Sequence, residues 1–106
     1  MTATHTAALC IPHSHPALPG HFPGQPIVPG VVLLDQVLSA AQDWLSTPLR
    51  LQTLQQAKFL TPLLPDQHAQ IQLKLQGSEL RFSITITRSG ETIAQGVMSL
   101  SPETPV

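Results

Sequence analysis

Between Gly30 and Pro48 the chain runs without a proline or a glycine, and the residues there are apolar over half of a helical circumference. At 100° per residue Val31, Leu33, Leu34, Val37, Leu38, Ala40, Ala41, Trp44 and Leu45 fill a continuous arc of about 180°. The opposite arc holds Asp35, Gln36, Ser39, Gln42, Asp43 and Ser46, with Val32 as its one apolar member. A helix lying on a surface shows a stripe of roughly 100°. An arc this wide predicts a helix wrapped by a curved sheet. Proline near the first helical position sets its start at Pro29 or Gly30, and the pattern ends at Leu45.

The chain after this helix changes period. Gln70 to Leu75 alternates polar and apolar residues, and Leu80 to Thr87 repeats the alternation in the other phase, with Leu80, Phe82, Ile84 and Ile86 on one face. Period two means half-buried strands, and the short turn Gln76-Gly77-Ser78-Glu79 makes them a hairpin. Ser89-Gly90 is the next turn, before a strand at about Thr92 to Leu100. Upstream, Leu49 to Leu60 alternates less cleanly, with Leu49, Leu51, Thr53, Ala57 and Phe59 sharing a face, and its expected partner is the strand after the loop Thr61 to Asp66. Thr4 to Ile11 can add a further strand. The expectation is an α+β domain, one long helix and an antiparallel meander with one apolar face. A single domain spans residues 1–106, with residues 101–106 as a loose tail.

Composition narrows the function. Only 10% of the residues are charged, well under the roughly 25% typical of soluble domains, so part of the surface is expected to be hidden by another subunit. The net charge is −1 without a basic cluster, which gives no footprint for nucleic acid. No apolar run approaches the ~18 residues of a membrane span, and the N-terminal residues lack the pattern of a secretory leader. The expectation is a cytoplasmic protein with neither a nucleic-acid nor a membrane partner. Cys10 is the one cysteine, and its expected place is a strand. His68 belongs in a solvated turn, and Trp44 packs on the buried arc of the helix.

The segment from Pro12 to Gly30 holds six of the eleven prolines and three of the six glycines. A loop of this length in a small domain is either functional or disordered. Prolines pin its path, and it leads directly into a helix built for burial, so it reads as a rigid and placed loop. His13, Ser14, His15 and His21 invite a metal, but no cysteine or acid nearby completes a ligand set.

Within this segment the run PGHFPGQPIVPGVVLLD, from Pro19 to Asp35, resembles the signature of the bacterial 3-hydroxyacyl-carrier-protein dehydratases, the hot-dog-fold enzymes of fatty-acid synthesis. Ala57-Lys58-Phe59-Leu60-Thr61-Pro62, followed by Pro65-Asp66, resembles the family's strand and the loop after it. In size and in the lead-in from His15 to Phe22 the chain is more similar to the short dehydratases of aryl-polyene and related pigment pathways. The acid is Asp35, as in the FabA type, where the FabZ type has Glu. Val31 stands where the FabA type has Cys, so the match to that branch is partial.

Dehydration of a 3-hydroxyacyl thioester needs a base for the C2 proton, an acid for the departing hydroxyl, and donors for the carbonyl oxygen as it gains negative charge. A neutral imidazole suits the first, a carboxylic acid in apolar surroundings the second, and amides at a helix N-terminus the third. The resemblance assigns these roles to His21, Asp35, and the amides of Gly30 and Val31, with Phe22 and Val32 along the acyl chain. It implies that His21 of one subunit meets Asp35 of another, in a homodimer or a heterodimer with a homologue. It further implies an acyl carrier protein as the substrate's carrier and no cofactor. Two rival readings are a thioesterase on the same fold, in which a carboxylate activates water, and a non-catalytic subunit that pairs with an active homologue.

Overall fold

The computed structural model describes residues 2–12, 14–15 and 27–102. In chain order the elements are β1 (Thr2–Leu9), α1 (Gly30–Leu45), β2 (Leu49–Phe59), β3 (Ala69–Gln76), β4 (Glu79–Ile86) and β5 (Thr92–Pro102). The strands form one antiparallel sheet in the order β1-β3-β4-β5-β2. The α+β reading therefore holds: one face of the sheet carries the helix. Leu33, Val37 and Ala41 of α1 are buried with Ile71 and Leu73 of β3, Leu80, Phe82 and Ile84 of β4, and Ile93, Met98 and Leu100 of β5.

Helix α1 starts on Pro29, whose φ of −62° and ψ of 147° are those of an extended residue entering a helix. It stops at Ser46, which turns into the left-handed region with φ 53° and donates its N–H to the carbonyl of Gln42. The side chain of Gln42 then receives the N–H of Leu49 at 3.0 Å, which ties the last helical turn to the first residue of β2. In the β3–β4 hairpin the pair Gln76–Glu79 closes on Gly77 and Ser78, and Gly77 has φ 62°. A positive φ costs glycine nothing and most other residues a good deal, which makes this a two-residue hairpin turn.

Four expectations are corrected. First, β2 does not pair with β3. It pairs with β5 at one edge of the sheet, while β3 pairs with β1 at the other. The connection from Leu60 to His68 carries Pro62 and Pro65 and is long enough to cross the sheet, whereas a hairpin partner would follow within a few residues. Second, the inward face of β2 carries Leu54 rather than Thr53. Register shifts between Leu51 and Thr53 and between Leu54 and Gln56 each add a residue that β5 does not match, and each bulge flips the alternation. Third, Val31 is 72% exposed while Val32 is 8% exposed. A helical wheel assumes one covering plane along the whole helix, but a curved sheet covers a different side at each turn. Fourth, Ser101 and Pro102 belong to β5, where they face Arg50 and Leu49, so the loose tail does not begin at residue 101. Residues 103–106 lie outside the described residues.

Gly96 shows where backbone spacing is tight. A methyl group there would press on the backbone carbonyl oxygen of Gln56, at the second bulge, and would sit 2.7 Å from the Phe82 ring. The carbonyl cannot swing away without unpairing β2 from β5. Gly96→Ala is expected to cost about 1–3 kcal/mol through overpacking. A thermal melt should show the midpoint lowered by at least about 4 °C, and an unchanged midpoint would contradict the packing described.

Candidate active site

The N-terminus of α1 is held from outside the helix. The N–H of Val28 donates to the carbonyl of Leu63 at 2.9 Å, so the segment entering the helix is fastened to the β2–β3 connection. Val32 and Leu33 both donate to the carbonyl of Pro29, at 3.0 and 3.3 Å. The amides of Gly30 and Val31 precede these bonds, and the described residues offer them no acceptor. This is the situation of first-turn donors in general, and it leaves two N–H groups with the positive end of the helix dipole behind them.

Gly30 has a reason of its own to lack a side chain. A Cβ there would lie 2.9 Å from Cζ of Phe59 and 3.0 Å from Cε1, so the aromatic ring covers the Cα of the first helical residue. The sequence alone allowed a turn at Gly30; the structure shows close packing instead. Phe59 closes the inward face of β2 at this end and is still 52% exposed.

Two apolar grooves flank this first turn. One, of about 630 Å³, runs between Ile27–Gly30 and the segment Phe59–Leu63, and Leu33 lies at its base. It has no titratable side chain among the described residues. The other, of about 350 Å³, is lined by Val31, Val32, Leu34, Asp35 and Leu38 of α1, Leu51 of β2 and Met98 of β5. Asp35 is its one titratable group among the described residues. Among the described residues the larger groove thus carries no titratable group, and the smaller one sets a carboxyl group in an otherwise aliphatic wall.

Asp35 is exposed, about 8 Å along the helix axis from Gly30, and has no hydrogen-bond or ion-pair partner among the described residues. Gly30, Val31, Val32 and Asp35 are therefore on one end of one helix, and the last three line one groove. His21 and Phe22 lie outside the described residues, as do His13 and most of the Pro/Gly-rich loop. Among the described residues no three His, Cys, Asp or Glu side chains group as metal ligands. Leu51, Met98 and Phe59 were missing from the expected site. Leu51 and Phe59 follow the alternation of β2, but contact with α1 depends on the sheet's curvature, and Met98 comes from a strand more than sixty residues away from Asp35 in sequence.

The remaining polar candidates stand away from this site. Cys10 is exposed and lies just past β1 rather than within a strand. His68 is exposed, and its carbonyl receives the N–H of Thr87 at 3.1 Å. Trp44 is partly buried against the core, as expected for its arc, and stacks on His5 of β1 with ring centroids 5.2 Å apart. No helix among the described residues is long and apolar enough to cross a membrane.

Comparison with known proteins places this geometry. The family model described as "ApeI-like: ApeI dehydratase" matches residues 1–97. The chain belongs to the ApeI-like dehydratases. Its fold is the hot-dog fold, with α1 as the wrapped helix. A 3-hydroxyacyl-[acyl-carrier-protein] dehydratase FabZ from Caulobacter sp. (strain K31) is 26% identical over 93 residues, 79% of this chain and 50% of that protein. This ApeI-like chain thus spans about half the length of that curated relative. Among solved structures, an uncharacterized protein from Erwinia carotovora subsp. atroseptica superposes with a TM-score of 0.84 at 28% identity, covering 95% of this chain and 85% of that one. The dehydratase heterocomplex ApeI:P from Xenorhabdus doucetiae superposes with a TM-score of 0.81 at 24% identity, covering 94% and 93%.

Proposed function

We propose that this ApeI-like chain removes water from a 3-hydroxyacyl thioester, bound to an acyl carrier protein, to give the trans-2-enoyl thioester. The observation that carries the reading is the place of Asp35, in an aliphatic groove beside the first-turn amides of α1, in a chain of a dehydratase family. His21 takes the C2 proton. The electron pair of that C–H bond becomes the C2–C3 double bond, and the C3–O bond breaks. Asp35 gives its proton to the departing hydroxyl, so that water leaves. The amides of Gly30 and Val31 hold the thioester oxygen while it carries negative charge. Phe22 and Val32 flank the acyl chain. Proton transfer of this kind needs no cofactor.

The site is shared between two subunits in this reading, and the sheet edge supports it. Strand β2 ends the sheet and, among the described residues, leaves a row of backbone donors and acceptors without a strand partner. Beside it stand Leu51, Leu54, Phe59 and Leu60, 39–57% exposed, and Val31 at 72%. An edge strand with this many exposed large apolar side chains is a surface to be covered. A second subunit paired there, in the cytoplasm with the rest of the assembly, would roof the groove and bring in its own Pro/Gly-rich loop.

The direct test is to incubate the purified protein with a synthetic 3-hydroxyacyl thioester and follow the enoyl absorbance and the free thiol together. Enoyl absorbance without thiol is expected. Thiol release without enoyl product would make the protein a thioesterase, and neither signal, from the chain alone or with a homologous partner whose own His and acid have been removed, would make it a non-catalytic subunit.

A further inference from the structure

We infer that β1 is a self-association edge, on which a second copy of this chain adds its own β1, antiparallel, about a two-fold axis at His5, whatever the reaction at Asp35. Strand β1 ends the sheet on the side away from β2, and its outer edge has no strand partner among the described residues. All eight of its residues, Thr2 to Leu9, are matched one for one with β3, without a register shift. Proteins keep edge strands from pairing with a charge, a proline, a bulge or a very short length. None of these is present in β1: TATHTAAL holds no proline and no Asp, Glu, Lys or Arg. A regular, uncharged edge of this kind is a template for another strand.

The sequence of β1 says which strand. Outward from His5 it reads nearly alike in both directions: Thr4 and Thr6, then Ala3 and Ala7, then Thr2 and Ala8. A two-fold axis through the sheet at His5 sets Thr4 of one copy against Thr6 of the other, and Ala3 against Ala7. Leu9 is buried and Ala7 packs against the core, so the odd-numbered residues face the helix side and the threonines face away from it. Thr4 and Thr6 are exposed, and the axis joins them in two cross-strand hydroxyl pairs, a favourable pairing on a sheet. Moving the axis to Thr4 or Thr6 sets His5 against an alanine and loses the match. On the helix side His5 stacks on Trp44, with ring centroids 5.2 Å apart and planes within 8°. This stack ties the middle of β1 to the last turn of α1, so the strand is in place before a partner arrives. The seam is made of backbone hydrogen bonds and small side chains, whereas β2 is flanked by exposed leucines and Phe59. It is therefore the weaker of the two edges and forms at the higher protein concentration.

The test combines a concentration series with cross-linking, each protein first checked for folding by circular dichroism. Light scattering on the native protein should show the mean mass rising with concentration, beyond any plateau set by β2. Trp44 is the chain's one tryptophan, and its emission should shift over the same range. Thr4→Glu together with Thr6→Glu should move that range upward by about tenfold or more, because two pairs of carboxylates then face each other across the seam. Within the subunit Thr4 lies beside Lys74 and Thr6 beside Gln72, so the acids are compatible with the fold. Cys10→Ser removes the one native thiol. On that background Thr4→Cys and Thr6→Cys together should give disulfide-linked pairs under mild oxidation, and either alone should not. Mass and emission that ignore concentration overturn the inference, as does a rise that the two glutamates leave in place. Linkage by a single cysteine as efficient as by both, or no linkage by both, overturns the axis at His5.

Discussion

Asp35→Asn should lower the rate of enoyl thioester formation by about a hundredfold to ten-thousandfold, the range expected when a positioned proton donor is lost, while the thermal midpoint stays close to native. The stability half of this expectation follows from geometry. Asp35 is exposed and has no hydrogen-bond or ion-pair partner among the described residues, so the amide that replaces it breaks nothing in the fold. Asn keeps the shape and can hydrogen-bond the C3 oxygen, but it cannot give that oxygen a proton. Loss of kcat with KM nearly unchanged is the expected split, since the acyl groove is left intact. His21→Ala should lose a comparable factor through the missing base. Full dehydratase activity in either variant would remove that residue from the mechanism. Full activity in Asp35→Asn alone would also make the groove a binding surface rather than a site of chemistry.

The parts of this molecule that could be read from sequence are those decided locally. The limits of α1 follow from Pro29 and from the lack of helix breakers before Pro48, and the structure places the helix at Gly30–Leu45. The alternation from Gln70 to Thr87 gave both strands of the β3–β4 hairpin, because period two and a two-residue turn leave little choice. Strand neighbours are another matter. Alternation tells which face of β2 is apolar and nothing about whether β3 or β5 lies beside it; the pairing with β5 is settled by where the crossing segment Leu60–His68 can reach. The bulges in β2 are equally silent, since Leu54 and Thr53 are exchanged by single extra residues rather than by any signal in composition. The helix limits put Asp35 and Gly30 at one end of one helix, and α1 holds both there. The aliphatic walls that make the groove, Leu51 and Met98, come from strands that the motif does not include.

The second large effect expected concerns the edge of β2. Leu54 is at the middle of this strand, on its inward face, and 39% exposed in the single chain. Leu54→Asp should leave the subunit folded, because the side chain is half in water already. In a symmetric pairing of two β2 edges the same patch meets itself, so two carboxylates would be brought together in an apolar seam, and like charges there cost several kcal/mol. Light scattering should show a shift from dimer to monomer, and dehydration should fall at least a hundredfold although His21 and Asp35 are both present. A monomer with native turnover would mean that one chain holds a whole site. Mixing supplies the complementary measurement. His21→Ala and Asp35→Asn proteins, each inactive alone, are unfolded together and refolded. If each site takes His21 from one subunit and Asp35 from the other, half of the dimers become hybrids with one intact site of two, and about a quarter of the native rate returns. If both residues act within one chain, no hybrid contains a complete set and no activity returns. The same experiment separates a homodimer from an obligate pairing with a homologue, because in the second case the native chain refolded alone is already inactive and gains activity only when an acid-bearing or histidine-bearing partner is supplied.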